Sequence, residues 1–249
     1  MKQFTYISDL TNPKALETIT GAVSSMNKTL LSEIGYSDAT LEHIDVKLTS
    51  GSTQSFILKY IKLSADWLSQ RTRDTVGREA AILEEDRLLK IRESVECPYI
   101  AFAMEKGQIA VLMNDLSAYL LPDVKEPIAL QTEATILDTL ASLHASFWES
   151  IEIKKLDWLK TPQQYLEALG PGEHLTDSFA PPPKQVLEGM NKGWELALTI
   201  LPEEIKAMFL QPAEKILDRW KDLPTTFLYG DTKLSNMALM PDNKIAAFD

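Results

Sequence analysis

The sequence predicts an α+β chain of two lobes, a small β-rich one followed by a mostly helical one. Three observations predict it. Segments of strand texture at residues 43–46, 56–61, 99–104 and 108–113 all fall before Asp115. After Asp115 the texture turns helical for most of the remaining chain, and a late pair of strands around residues 226–248 closes it. Strands first and helices afterwards describe segregated layers, not a βαβ array.

The elements follow in order. Residues 14–35 read as a leading helix, because Leu16, Ile19, Val23, Met26 and Leu30 recur three and four apart and Gly35 follows as a stop. The period then changes: His43 to Val46 and Phe56 to Ile61 read as strands separated by the small polar loop T-S-G-S-T-Q. Residues 74–90 return to a helical pattern, with Val76, Ala80, Leu83 and Arg87 on related faces. Tyr99 to Met104 and Gln108 to Met113 are joined by E-K-G, a hairpin signal because glycine tolerates positive φ.

In the second half, T-E-A-T-I-L-D-T-L-A-S-L-H-A-S-F-W reads as a helix capped by Thr132, with Leu137, Leu140, His144 and Phe147 on one stripe. Ala180-Pro181-Pro182-Pro183 is a stiff connector that cannot be helical throughout. Helices resume over 185–201 and 212–220, and Thr226 to Tyr229 and Lys244 to Phe248 read as short strands. The expected division is a lobe of residues 1–115 and a helical lobe of residues 116–249.

Composition narrows the class. At 249 residues with 45% hydrophobic content the chain can bury a core. A net charge of -11 argues against a nucleic-acid partner, which calls for a basic face, and against an anionic membrane surface. Cys97 is the only cysteine, so no intrachain disulfide forms and a reducing, cytoplasmic compartment is expected. The N-terminus lacks the apolar core of a secretory signal.

Chemistry concentrates at the end of the chain, in F-L-Y-G-D-T-K-L-S-N-M-A-L-M-P-D-N-K-I-A-A-F-D. Taken singly, Asp231 is a turn residue. With Asn236 five positions on, it has the spacing of a phosphoryl-transfer loop, in which the Asp faces an acceptor hydroxyl and the amide oxygen reaches a metal. Lys233 stands where an ammonium can point at the transferring group, or serves only as a solvated loop residue. Thirteen positions separate Asn236 from Asp249, enough for strand, turn at Pro241-Asp242-Asn243 and strand, which would return Asp249 beside Asn236 as a second oxygen ligand for Mg²⁺. His43, His144 and His174 lack metal-ligand spacing, so no zinc site is expected.

This segment resembles the motif of the aminoglycoside phosphotransferase and choline kinase-like family, relatives of the protein kinases, written H-G-D-x-x-x-x-N before a metal-binding Asp; here it is Y-G-D, with Tyr229 at the His position. The resemblance extends upstream. F-I-L-K places Lys59 in a strand after T-S-G-S-T-Q, and R-E-A-A-I-L places Glu79 on the following helix. I-A-V-L-M-N-D-L is similar to the linker strand, and L-A-S-L-H-A-S-F-W to the helix beneath the catalytic loop.

The resemblance implies a protein kinase-like fold, ATP and Mg²⁺ as cofactors, and a small-molecule hydroxyl acceptor of the aminoglycoside or choline type. It implies that Gly51, Ser52 and Thr53 cradle phosphate, that Lys59 held by Glu79 grips it, and that Met113, Asn114 and Asp115 meet adenine through their backbone. Asp231 becomes the base, and Asn236 and Asp249 the metal ligands. Members of the family continue beyond their metal-binding Asp, so the expectation is of a pattern cut short at its C-terminal end. The rival expectations are a non-catalytic nucleotide-binding or interaction module and, more weakly, a protein kinase.

Overall fold

The computed structural model describes residues 1–31, 39–122, 127–171 and 182–248. Its first part is built on a six-stranded sheet in the order β1-β5-β6-β4-β3-β2, and its second part is helical. In chain order the elements are β1 (Lys2–Phe4), a 3-10 turn (Ile7–Thr11), α1 (Pro13–Thr20), β2 (Val23–Leu30), β3 (Thr40–Leu48), β4 (Thr53–Lys62), α2 (Trp67–Arg71), α3 (Arg78–Glu84), α4 (Ile91–Ser94), β5 (Tyr99–Glu105) and β6 (Gln108–Asn114). There follow α5 (Leu130–Ser146), α6 (Ile151–Lys154), α7 (Pro162–Leu169), α8 (Lys184–Ile200), α9 (Glu203–Phe209), α10 (Ala213–Leu217), β7 (Met237–Leu239) and β8 (Ile245–Ala247).

Alternation along the strands decides which residues face which layer. Ile44, Val46, Phe56, Leu58, Ala101, Ala103, Ala110 and Leu112 point one way and pack with Leu10 and Leu16 of the 3-10 turn and α1. Ile61, Phe102, Ile109 and Val111 point the other way, beneath Ala80 and Leu83 of α3. Lys59 shares the parity of Ile61 and so belongs to the α3 face. The E-K-G connection turns with Lys106 at φ 51 and Gly107 at φ 76, the two left-handed residues a tight hairpin of matching twist demands.

The leading helix is shorter than the sequence suggests. It stops at Thr20, Gly21 takes φ 96, and Val23–Leu30 become β2, paired antiparallel with β3. Gly35 lies outside the described residues. Residues 74–90 hold the short α3 and a 3-10 turn at Asp86–Leu88 instead of one helix; Asp74 caps the N–H groups of Val76, Gly77 and Arg78 at 3.1, 2.8 and 2.9 Å and so starts α3 late. Helix α5 begins at Leu130, after Ala129 at the N-cap position, rather than at a Thr132 cap, and its buried positions are Ile136 and Leu143, with Leu137 turned out to 57% exposure. Thr226–Tyr229 runs without a ladder partner; the late hairpin is β7–β8 instead.

Guanidinium groups join the two parts. Arg78 Nε donates to Trp158 O at 2.6 Å and its Nη groups hold Thr72, while Arg71 Nη1 reaches Ala168 O at 3.3 Å. The β7–β8 hairpin is sewn on as well, with the Glu96 N–H donating to Ile245 O at 2.9 Å and the Leu121 N–H to Met237 O at 2.9 Å. Among the described residues no helix is long and apolar enough to cross a membrane.

Candidate functional site

Lys59 lies in the middle of β4, paired with Leu41 on one side and Val111 on the other. Its Nζ stands 3.0 Å from Glu79 Oε2, with the two side chains 9% and 18% exposed. An ammonium withdrawn this far from water needs a counter-charge, and the first turn of α3 supplies it. Two constraints set the position of Glu79: Asp74 fixes where α3 begins, and Gly77, at φ 72, lets the backbone pass so close to Ile109 that a Cβ would sit 2.2 Å from its Cδ1. The Tyr99 hydroxyl donates to Glu79 Oε1 at 3.5 Å.

The second cluster is the loop from Tyr229 to Asn236. Gly230 takes φ 94, and Asp231 follows with its carboxylate exposed. Asn236, 5% exposed, donates through Nδ2 to Asp231 Oδ2 at 3.0 Å and to Asp231 O at 3.4 Å. Lys233 Nζ approaches Asp231 Oδ2 at 3.6 Å on the solvent side. The β7–β8 hairpin then turns at residues 240–244, where the Met240 N–H donates to Lys244 O at 2.9 Å, and the Phe248 N–H comes back to Asn236 O at 3.2 Å. Asp249 itself lies outside the described residues.

Tyr229 ties this loop shut. It packs against two buried clusters, one with Leu143 and Phe147 and the other with Ile136, Met237 and Ile245. Its hydroxyl donates to Phe248 O at 2.8 Å, with Asn236 O at 3.3 Å. A residue at this place therefore acts on the loop through main-chain oxygens. Sequence reasoning did not single out Tyr165 of α7, whose hydroxyl would meet a Cβ at Gly230 at 3.3 Å. Burial raises the Tyr165 phenol above its ordinary value, the negative charge of Asp231 adds to this, and Arg78 opposes it.

Met113, Asn114 and Asp115 end β6. The Asn114 N–H donates to Pro98 O at 2.9 Å and the Asp115 N–H to Ser55 O at 3.2 Å, which leaves carbonyl oxygens as what these two backbones offer a ligand. The Asp115 carboxylate accepts from the Ser117 N–H at 2.9 Å and from the Ser117 hydroxyl, and faces His43 Nε2 at 3.1 Å. Asp45 Oδ2 lies 3.7 Å from His43 Nδ1 and accepts the Ser55 hydroxyl through Oδ1 at 2.6 Å. Strand alternation puts His43, Asp45 and Lys59 on one face of the sheet, a signal present in the sequence but not used.

The structure does not bring Gly51, Ser52 and Thr53 to Lys59. They form the β3–β4 turn, in which the Gly51 N–H bonds Leu48 O at 3.0 Å, and six residues of extended chain put Thr53 about 20 Å from Lys59. Lys59 lies instead toward the end of the sheet where the Leu31 N–H donates to Leu41 O at 2.9 Å. Among the described residues no three His, Cys, Asp or Glu side chains gather as a metal cage.

No protein-family model matches the chain, and no curated protein does. Among solved structures it is similar to a thermostable mutant of aminoglycoside phosphotransferase APH(4)-Ia in its apo form, at 12% identity over 96% of this chain and 70% of that one, with a TM-score of 0.37. A ternary complex of that enzyme with AMP-PNP and hygromycin B gives 12% identity over 95% and 69% of the two chains, with a TM-score of 0.41. An aminoglycoside phosphotransferase from Alicyclobacillus acidocaldarius gives 12% identity over 91% and 61%, with a TM-score of 0.35. Likenesses this loose carry no residue roles from one protein to another.

Proposed function

We propose that this chain is an ATP- and Mg²⁺-dependent phosphotransferase that moves a γ-phosphoryl group to a hydroxyl of a small molecule. The observation that carries the reading is the buried Lys59–Glu79 pair at 3.0 Å. A sheet lysine withdrawn from water and held by a helix glutamate is costly to keep for stability alone, and it suits a group that must present its charge to phosphate oxygens in a fixed place.

In this reading Asp231 orients the acceptor hydroxyl and takes its proton, with its carboxylate aimed by Asn236 Nδ2. Lys233 offers positive charge on the side where the phosphoryl group passes. The donor set suits a hard cation: an amide that donates through Nδ2 keeps its oxygen as acceptor, and Asn236 with Asp249 would hold Mg²⁺. When bound, that ion neutralises charge on the nucleotide phosphates. Carbonyl oxygens of Asn114 and Asp115 would face adenine, with Met113 just before them in the ladder between β4 and β5. Gly51, Ser52 and Thr53 have no part in the proposal. The acceptor class, aminoglycoside or choline type, comes from the motif resemblance.

The test is transfer from γ-labelled ATP to a panel of hydroxyl compounds, followed by mass spectrometry, with Asp231→Asn alongside. Labelled product that disappears in the variant while nucleotide binding persists is expected. Turnover that survives Asp231→Asn would remove the assigned base. Mg-dependent nucleotide binding with no transfer to any hydroxyl compound would point to a non-catalytic nucleotide-binding module.

A further inference from the structure

A cavity of about 340 Å³ opens where α2 meets α7, α9 and α10, and none of Lys59, Glu79, Asp231 or Asn236 lines it. Its volume is that of a small-molecule site. Leu166, Phe209, Pro212 and Ile216 give it an apolar wall. Two guanidiniums, Arg71 and Arg73, line the opposite chemistry.

Arg71 is the unexplained group. It ends α2, is only 8% exposed, and donates through Nη1 to Ala168 O at a long 3.3 Å. Its Nε is buried without a hydrogen-bond partner, and among the described residues no carboxylate pairs with it. Burial pulls the guanidinium below its ordinary value. A charge buried in this way is costly unless it is paired, and ordinarily a protein supplies the partner. The two carboxylates that also line the cavity do not fill that role: Glu167 accepts from Gln163 Nε2 at 2.8 Å, and Glu214 is exposed in the first turn of α10. Arg73, held at φ 55 just beyond the helix end, adds a second, exposed cation at the mouth.

We propose that this cavity binds a small organic anion, a carboxylate or phosphate ester on an apolar body, with Arg71 and Arg73 pairing its oxygens. The fork of a guanidinium matches either oxyanion in two-point contact. The wall of Leu166, Phe209 and Ile216 takes the apolar remainder. The inference stands on this cavity alone and does not depend on the phosphotransferase reading.

Trp194 gives a local readout. Its indole N–H donates to Leu169 O at 2.7 Å, and its ring lies 5.4 Å from that of Phe209. Phenyl phosphate and benzoate would be titrated separately against the full chain, following the Trp194 indole ¹H–¹⁵N resonance, which Trp194→Phe assigns. Sodium chloride at equal ionic strength is the control. A saturable shift is expected, with the dissociation constant at least fivefold weaker in Arg73→Gln, an exposed change that leaves the core alone, and weaker still in Arg71→Lys. Response to benzoate only, or to phenyl phosphate only, names the oxyanion. An unmoved Trp194 resonance, the same shift with chloride, or an affinity loss under fivefold in both variants overturns the proposal.

Discussion

Lys59 Nζ meets Glu79 Oε2 at 3.0 Å across the interface between β4 and α3, and nine-tenths of the lysine side chain is out of water. The pair joins sheet to helix, so each partner's removal strands the other. Lys59→Ala and Glu79→Ala are each expected to cost about 3 kcal/mol in denaturant unfolding, near the lower end for breaking a buried pair. The double variant should cost at least 1 kcal/mol less than the sum of the singles, since the interaction is lost only once. Simple additivity would mean that the two charges do not depend on one another.

Asn236 and Asp231 share a hydrogen bond but not a setting. Asn236 is 5% exposed, whereas Asp231 projects into solvent. Asn236→Ala should therefore cost about 2 kcal/mol, the loss of a buried amide and its bonds, while Asp231→Ala should cost less than about 1 kcal/mol. Urea midpoints measure both. A carboxylate free of structural duty is what a group kept for chemistry would show. A larger penalty at Asp231 than at Asn236 would recast it as a loop-holding residue.

Part of this arrangement was legible because motif order and loop spacing are short-range properties. The motif resemblance set Lys59 of a strand against Glu79 of the following helix, and the interval after Asn236 read as strand, turn and strand, which β7–β8 supplies. What escaped the sequence was set by distant contacts. In β2, Val23, Met26 and Leu30 continue the three-and-four spacing of Leu16 and Ile19, so the segment mimics a helix. As an edge strand with most side chains exposed it carries no alternation, and hydrogen bonds to β3 decide its conformation. T-S-G-S-T-Q looked like a phosphate loop because it precedes Lys59, but sequence order does not reveal at which end of a strand a turn lies relative to one side chain. Arg71 and its cavity rest on packing among α2, α7 and α10, which no local pattern announces.

The Asp115 carboxyl is expected to make stability depend on pH. Burial pushes it up, but the Ser117 hydroxyl and N–H and the His43 imidazole outweigh burial and hold it below its ordinary value of 3.8. His43 Nε2 of β3 faces it at 3.1 Å, and Asp45 Oδ2 lies on the far side of that ring, 3.7 Å from Nδ1. A carboxyl depressed in the folded state contributes stability that is fully present above its unfolded pKa and is lost as pH falls through the folded one. The stability gap between the parent and Asp115→Asn should thus narrow as pH falls from about 5 and close below about pH 4. Urea unfolding across that range is the check. A gap that widens in acid would reverse the assigned sign.

Gly77 should be the least replaceable residue near the site. Its φ of 72 is a conformation that side chains resist, and an added Cβ would lie 2.2 Å from Ile109 Cδ1 and 3.4 Å from Met104 Cε. Gly77→Ala therefore combines a backbone penalty of about 1 kcal/mol with an overpacking penalty of about 2 kcal/mol. The second part has a named cause and so a named remedy. Ile109→Val removes the clashing methyl and by itself costs about 1 kcal/mol. Combined with Gly77→Ala, it should leave the protein more stable than the two separate losses sum to, by at least 1 kcal/mol, while the backbone share of the loss persists. Thermal and urea unfolding of the three variants would measure the coupling. Strict additivity would show that α3 moves away from β6 instead of clashing with it, and Glu79 would then be expected to lose its place opposite Lys59.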